Sequence, residues 1–409
     1  MWGAGRICGH CLSSSATTQS DIPKHPVVEP APFDSGRVMP YSPLRDRGRY
    51  CYVKPSCTEG RDDAPKVFGA FTECNGGGTH INVVITGEVH FATDPYYWVE
   101  QSFKCAFQNQ SLGDEHVNIY GDLGNDKSVI DGHGQVYWGE ISNEQEIKPH
   151  QILRPMLFSF EGVEGATMSH LRMRNPPNWS SLIANSTDVV ISDMDLRAIA
   201  VNGVEIANSD GWDTYRSDRI VIQNSYIITR TVSQSFDSHL GPQSHGGLDN
   251  TNIVVQNVDC TGSHGMSVGS LGQYKDETDT FENVYVYNTS MADASDAARI
   301  KVWPGIETAF QTLLNDGGGL GRVRNVTDIN NDRAITTTTQ CYGQKNQTFC
   351  EEFPANLTIS DITLKNICGT TSEKIDPQAG TLVCSAPERC NNIRAENVTV
   401  TVPSGKSPI

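Results

Sequence analysis

The sequence predicts an all-β chain wound as a single-domain, right-handed parallel β-helix. Three observations carry the prediction: a recurrent unit of short β-branched runs, a composition suited to tight turns, and polar motifs that fall on successive repeats. The unit is a short run, then Asn, Gly or Asp, then another short run. It recurs in HINVVITGEVHF (80–91), HVNIYGDLG (116–124), LIANSTDVVISDMDL (182–196), RIVIQNSYII (219–228), TNIVVQNVDC (251–260), ENVYVYNTSM (282–291), NLTISDITLKNI (356–367) and NNIRAENVTVTV (391–402). The spacing is roughly 20–35 residues, the range of stacked repeat architectures. In such a stack, inward Val, Ile and Leu rest on their equivalents in the next coil, and corner Asn side chains form hydrogen-bonded ladders. One coil alone cannot bury its apolar face, so several are needed. An antiparallel sandwich or barrel is the rival, but the frequency of the run–Asn–run unit favours the solenoid.

Composition agrees. The 409 residues include 37 Gly and 20 Pro, and only 19% are charged, which suits many short strands joined by turns. No run of 18 or more apolar residues offers a membrane span. A formal net charge of −17 argues against nucleic acid as a partner. An anionic substrate remains compatible if the cleft is locally basic or the medium acidic.

The 12 cysteines form no zinc tetrad: Cys8 and Cys11 make one CxxC, and nothing downstream completes it. Cys341 with Cys350, and Cys384 with Cys390, enclose short loops and read as disulfides made in an oxidising compartment. Eight N-x-S/T sequons begin at Asn109, Asn178, Asn185, Asn288, Asn325, Asn346, Asn356 and Asn397, favouring passage through the secretory pathway. Residues 1–30 hold no apolar h-region, so the expectation is that this start is not the native one. Residues 1–50 are polar and Pro-rich and are expected to form an irregular arm ahead of a catalytic β-helix at 51–409.

Three stretches carry chemistry. NSDGWDT (208–214) supplies Asn208, Asp210 and Asp213 on a turn. GSHG (262–265) places His264 between small residues, where flanking glycines allow close backbone approach to a ligand. ARIKVW (298–303) alternates Arg299 and Lys301 around Ile300, so both cations project from one face of a strand. Stacked coils would gather them into one patch of carboxylates, imidazole and two cations. Such a patch suits hydrolysis of an acidic sugar polymer. An inverting glycosidase needs one protonated carboxyl on the leaving oxygen and one carboxylate on water, about 6.5–9.5 Å apart. Arg and Lys can hold a sugar carboxylate, and a histidine can orient a neighbouring acid.

These motifs, in this order, resemble glycoside hydrolase family 28, the polygalacturonases, which share the pectin-lyase-like solenoid. The longer stretches NSDGWDTYRSDRIVIQNSYI, GSHGMSVGSLGQYKDE and ARIKVWPG are similar to its fungal exopolygalacturonase branch, and the resemblance spans about 50–402. It implies a secreted enzyme that removes galacturonate from the non-reducing end of polygalacturonate with inversion, as a monomer, with no cofactor and no metal. It implies that Asp210 activates water, that His264 stands beside the acids, and that Arg299 and Lys301 bind the substrate carboxylate. Endo-polygalacturonase and rhamnogalacturonan hydrolase are the alternatives within the family. A pectate lyase ranks last, because no calcium-type acid cluster accompanies Arg299.

One departure stands out. The family carries an Asp-Asp-Cys unit shortly after the strand matching RIVIQNSYII, with the general acid as its first Asp. Counted without gaps, those positions fall on Thr231, Val232 and Ser233. The only acids within 229–250 are Asp237, a candidate substitute against a plain loop residue, and Asp249. Cys260, whose family partner is the missing cysteine, is left over. Losing both acids and the cysteine together points to a displaced reading of the coding sequence across 229–250, and motivates a second function: an inactive pectin-binding β-helix. Tyr274 and Lys275 line a subsite or simply a loop. Asp213 reads as structural, and Trp179 as a sugar platform or a cover for the core. The glycines of NGGGTH (75–80) lack the Lys-Ser/Thr of a phosphate loop.

Overall fold

A computed structural model describes residues 28, 51–54, 62–74, 81–94, 115–124, 127–142, 154–201, 203–204, 206, 208–231, 249–263, 265–294, 296–311, 314–329, 336–340, 347–371 and 376–409. They fall into two compact units, one within 38–211 and 221–237, the other within 212–220 and 238–409. The expected arm at 1–50 lies almost wholly outside the described residues.

The first unit opens with helix α1 (Ala64–Cys74). Asp62 Oδ1 accepts the Ala64 N–H at 2.8 Å, and Asp63 meets Lys66 Nζ at 2.7 Å, so the helix start is capped by acids. Strands β1 (Ile81–Val84), β2 (Glu88–His90), β3 (Glu115–Tyr120) and β4 (Val129–Asp131) follow, then helix α2 (Gly134–Ser142). Next come β5 (Phe158–Glu161), β6 (Glu164–Ser169), β7 (Arg172–Arg174), β8 (Ser181–Ala184), β9 (Thr187–Ser192) and β10 (Asp195–Ala200). Strands β1, β3, β6 and β9 pair in parallel in that order, and so do β2, β4, β7 and β10. Each coil therefore contributes one strand to each ladder.

Register explains the core. Val117, Ala166 and Val189 stack on one another, as do Ile119, Met168 and Ile191, and all six are buried. These are the inward positions expected from the β-branched runs. The coil from Val117 to Ala166 is longer than the expected 20–35 residues, because α2 lies within it. Trp138 of α2 packs on Ala198, Ala200 and Ile206, so the insertion carries its own apolar anchor.

After β11 (Asp213–Tyr215), the chain runs through β12 (Asp218–Thr231), which enters the first unit at 221 and pairs there with β10. The second unit continues with β13 (Asp249–Thr261), β14 (Met266–Leu271), β15 (Thr278–Ala292), β16 (Ala298–Val302), β17 (Glu307–Gln311), β18 (Leu314–Gly317), β19 (Leu320–Ile329), β20 (Thr336–Gln340), helix α3 (Gln347–Glu352), β21 (Asn356–Thr370) and β22 (Cys390–Thr401). Its main ladder is β13, β15, β19, β21 and β22, all parallel. A second parallel ladder joins β14, β16 and β20. Only β17 and β18 pair antiparallel among these.

The expected asparagine ladder is present. Asn283 donates to Asn252 at 3.0 Å, and Asn325 donates to Asn283 at 2.8 Å. Further along the chain, Asn288 donates to Asn257 at 2.7 Å and Asn397 to Asn366 at 2.9 Å. Asn252, Asn283 and Asn325 have φ of 58°, 58° and 55°. The left-handed region turns the chain sharply at each corner. Asn is among the few side chains that tolerate it, and its amide then bonds the coil below.

Candidate active site

Asn208 and Asp210 belong to the first unit. Asp210 is 1% exposed, and its carbonyl accepts the Ser180 N–H at 2.7 Å, tying the turn to the coil before it. Ser209 Oγ donates to the Pro176 carbonyl at 3.3 Å. Asn208 has φ of 56°, and its Oδ1 accepts from Arg154 Nη2 at 2.7 Å, while Arg154 Nη1 holds the Pro177 carbonyl at 2.9 Å. Sequence reading missed Arg154: it lies 54 positions from Asn208, and no local pattern marks it. At Gly211 an added Cβ would stand 3.0 Å from the Ile227 methyl, so the isoleucine would have to give by a small shift. Asp213 and Trp212 are buried, consistent with a structural reading for Asp213.

The second unit holds the cations. Arg299 and Lys301 lie on β16, between β14 and β20. Arg299 Nη1 stands 3.8 Å from Asp296 Oδ2, both side chains largely shielded. Asp296 was also missed, although its position three residues ahead of Arg299 could have flagged it. Lys301 is 3% exposed, against 8% for Ile300. The burial of Lys301 shows that the strand face it shares with Arg299 is covered at this position, as the Ile300 face is. A lysine so buried is rare unless its charge is compensated. Gly269 makes this close packing possible: an added Cβ would meet the Lys301 carbonyl at 2.5 Å. Gly265, beside the GSHG histidine, adopts φ of 71°, and an added Cβ there would stand 2.1 Å from the Asp296 carbonyl. What requires Gly265 is thus the close approach of the 296–297 backbone, whereas the sequence pointed to a ligand.

His264, Asp237, Val232, Ser233, the glycines at 75–80, Cys341, Asn109 and Asn346 lie outside the described residues. Tyr274 is 40% exposed, and Lys275 Nζ is 3.8 Å from Glu307 Oε2, which leaves both on the surface. Trp179 is half-buried. Cys384 and Cys390 form the expected disulfide, with Cα atoms 5.9 Å apart. Cys51 is disulfide-bonded as well. Cys260 is a buried thiol outside any disulfide, and burial, aided by the Asp259 charge, pushes its pKa far above the usual thiol range. That is the state expected of a cysteine whose family partner is absent. Among the sequons, Asn185 is exposed on a turn with φ of 50°. Asn288, Asn325 and Asn397 are spent on ladder bonds, and Asn356 Nδ2 donates to the Gly305 carbonyl at 3.0 Å.

The sequence model of Glycosyl hydrolases family 28 matches residues 72–408, and this chain belongs to that family. Among curated relatives, probable exopolygalacturonase X of Aspergillus fumigatus is 45% identical over 395 residues, covering 90% of this chain and 87% of that protein. Exopolygalacturonase A of Aspergillus niger is 43% identical over 420 residues, covering 95% and 92%. Among solved structures, endo-xylogalacturonan hydrolase from Aspergillus tubingensis matches with a TM-score of 0.69 at 27% identity, over 87% of this chain and 94% of that one. No described helix is long and apolar enough to cross a membrane.

Proposed function

We propose that this chain hydrolyses α-1,4-galacturonosyl bonds of polygalacturonate, acting from the non-reducing end with inversion. The observation that carries the reading is its 43–45% identity, over most of both chains, to exopolygalacturonases. Asp210 activates the attacking water, and His264 works beside the acids. Arg299 and Lys301 take the galacturonate carboxylate; the burial of Lys301 supports this, because a dry cation attracts an anion far more strongly than a solvated one. Residues 51–409 form the catalytic β-helix, residues 1–50 an arm, and the protein is a secreted, glycosylated monomer that uses no cofactor. Release of galacturonate monomer alone from polygalacturonate supports exo action. Early appearance of oligomers assigns the chain to an endo-acting class instead.

A second reading has its own support: binding of pectin without cleavage. Thr231, Val232 and Ser233 occupy the Asp-Asp-Cys positions, and Cys260 is an unbridged thiol. The two readings separate cleanly. The chain as written and a version carrying Asp-Asp-Cys within 229–250 are assayed for new reducing ends. Binding without hydrolysis by the first, with activity restored in the second, assigns this chain to the binding role. Inactivity of the repaired version sinks the catalytic assignment of Asp210.

A further inference from the structure

Within the first unit, β2 and β4 pair so that His90 lies opposite Asp131, and His133 follows two residues later. One donor atom from each of His90, Asp131 and His133 lies within 4.8 Å of the others. We propose that these three side chains form a binding site for a divalent transition-metal ion of the zinc type, independent of the hydrolytic chemistry.

The argument starts from the two rings. His90 Nδ1 and His133 Nε2 are 3.1 Å apart. The ring centroids are 5.1 Å apart with planes inclined by 25°, so the rings lie nearly parallel, with one nitrogen of each close to the other. His90 Nε2 is 2.9 Å from Glu88 Oε2. A carboxylate there accepts the Nε2–H, which leaves Nδ1 with its lone pair facing His133. This is the carboxylate–histidine–metal arrangement that fixes the tautomer of a ligating imidazole. Asp131 Oδ1 accepts the His133 N–H at 2.8 Å. That bond holds His133 at φ of 54° and turns its ring back towards His90. His133 Nδ1 stands 4.0 Å from Asp131 Oδ1. Between the two rings His133 Nε2–H donates to His90 Nδ1, so metal uptake requires that proton to move to His133 Nδ1, which turns Nε2 into a ligand.

Two imidazoles and one carboxylate are the donor set of zinc-like ions, not of calcium or magnesium. Zinc–nitrogen bonds of about 2.0–2.1 Å put tetrahedral ligands roughly 3.3 Å apart. The nitrogen pair is already near that spacing, and rotation of the half-exposed His133 ring and the Asp131 carboxyl closes the rest. Bound there, an ion would clip β2 to the turn ahead of α2. That turn is itself fastened by Gly132 N–H to the Arg174 carbonyl and Gly134 N–H to the Asn175 carbonyl. The ion thus acts on stability, with no step of the reaction assigned to it.

The test uses the full chain without an affinity tag, dialysed against Zn2+ and assayed for bound metal and for thermal unfolding. One zinc per chain and a raised Tm are expected, with no such effect from Ca2+ or Mg2+. Co2+ should give visible absorption bands of a nitrogen-ligated site. His133→Ala and His90→Gln should abolish uptake, and Glu88→Gln should weaken it about 10–100-fold while the protein stays folded. Absence of stoichiometric zinc, or uptake undiminished in Glu88→Gln and in either histidine variant, overturns the proposal.

Discussion

The acidic and cationic halves of the proposed machinery are built by different means. Asp210 sits on a turn between strands, where nothing periodic fixes its side chain. It is held by long-range ties: Ser180 N–H to its own carbonyl, Ser209 to Pro176, and Arg154 across Asn208 and Pro177. Arg299 and Lys301 sit inside a paired strand, where register with β14 and β20 sets their place and Asp296 stands 3.8 Å from Arg299. A carboxylate on a turn therefore depends on distant residues. A cation on a strand depends on the ladder and on neighbouring glycines that let backbones close in.

The largest effect that tests this contrast is on the acid. In a chain repaired with Asp-Asp-Cys, Asp210→Asn should lower kcat about a hundred- to ten-thousand-fold, read as reducing ends released. Unchanged turnover would remove the turn from the chemistry. Next come the cations: Lys301→Met or Arg299→Lys in the same background should cut kcat/KM about 10- to 100-fold, as expected for a lost charged hydrogen bond of roughly 1.5–3 kcal/mol. If Lys301→Met instead unfolds the protein with no kinetic defect in what remains folded, its burial is structural.

A smaller effect tests the clamp. Arg154→Ala should cost about 1–2 kcal/mol in chemical denaturation and several-fold in kcat, because it frees Asn208 and the Pro177 carbonyl together. The strand cations should keep their substrate affinity. The smallest effect lies away from both. Burial alone would raise the Asp195 pKa, but hydrogen bonds and charge from Arg197 and Arg174 outweigh it and hold the carboxyl below its ordinary range. The resulting stability is complete above the unfolded value of about 3.9 and is lost as pH falls through the lower folded value. Asp195→Asn should therefore flatten the fall of Tm on acidification below about pH 4, and should lower Tm at neutral pH. An unaltered acid limb would show that the pair contributes nothing there.

Much of this architecture was legible because its causes are local. The run–Asn–run unit marked the strands, and Asn252, Asn283 and Asn325 reach the left-handed corners and ladder bonds that such a unit requires. The close Cys384–Cys390 pair bridged as its short loop suggested. Arg154 was invisible because its reach to Asn208 crosses coils whose lengths no pattern encodes. The burial of Lys301 was hidden because alternation within one strand says nothing about what encloses both of its faces.

The sequence by itself determined the repeated strand, the turn residues between strands, and the charged motifs carried on them, since each depends on backbone preference within a few residues. The tertiary structure decided which coil lies against which, how deep Lys301 sits, and that His90, Asp131 and His133 share a few ångströms. Those depend on register between segments far apart in the chain. Register is set by the summed packing of all the coils and not by any one of them.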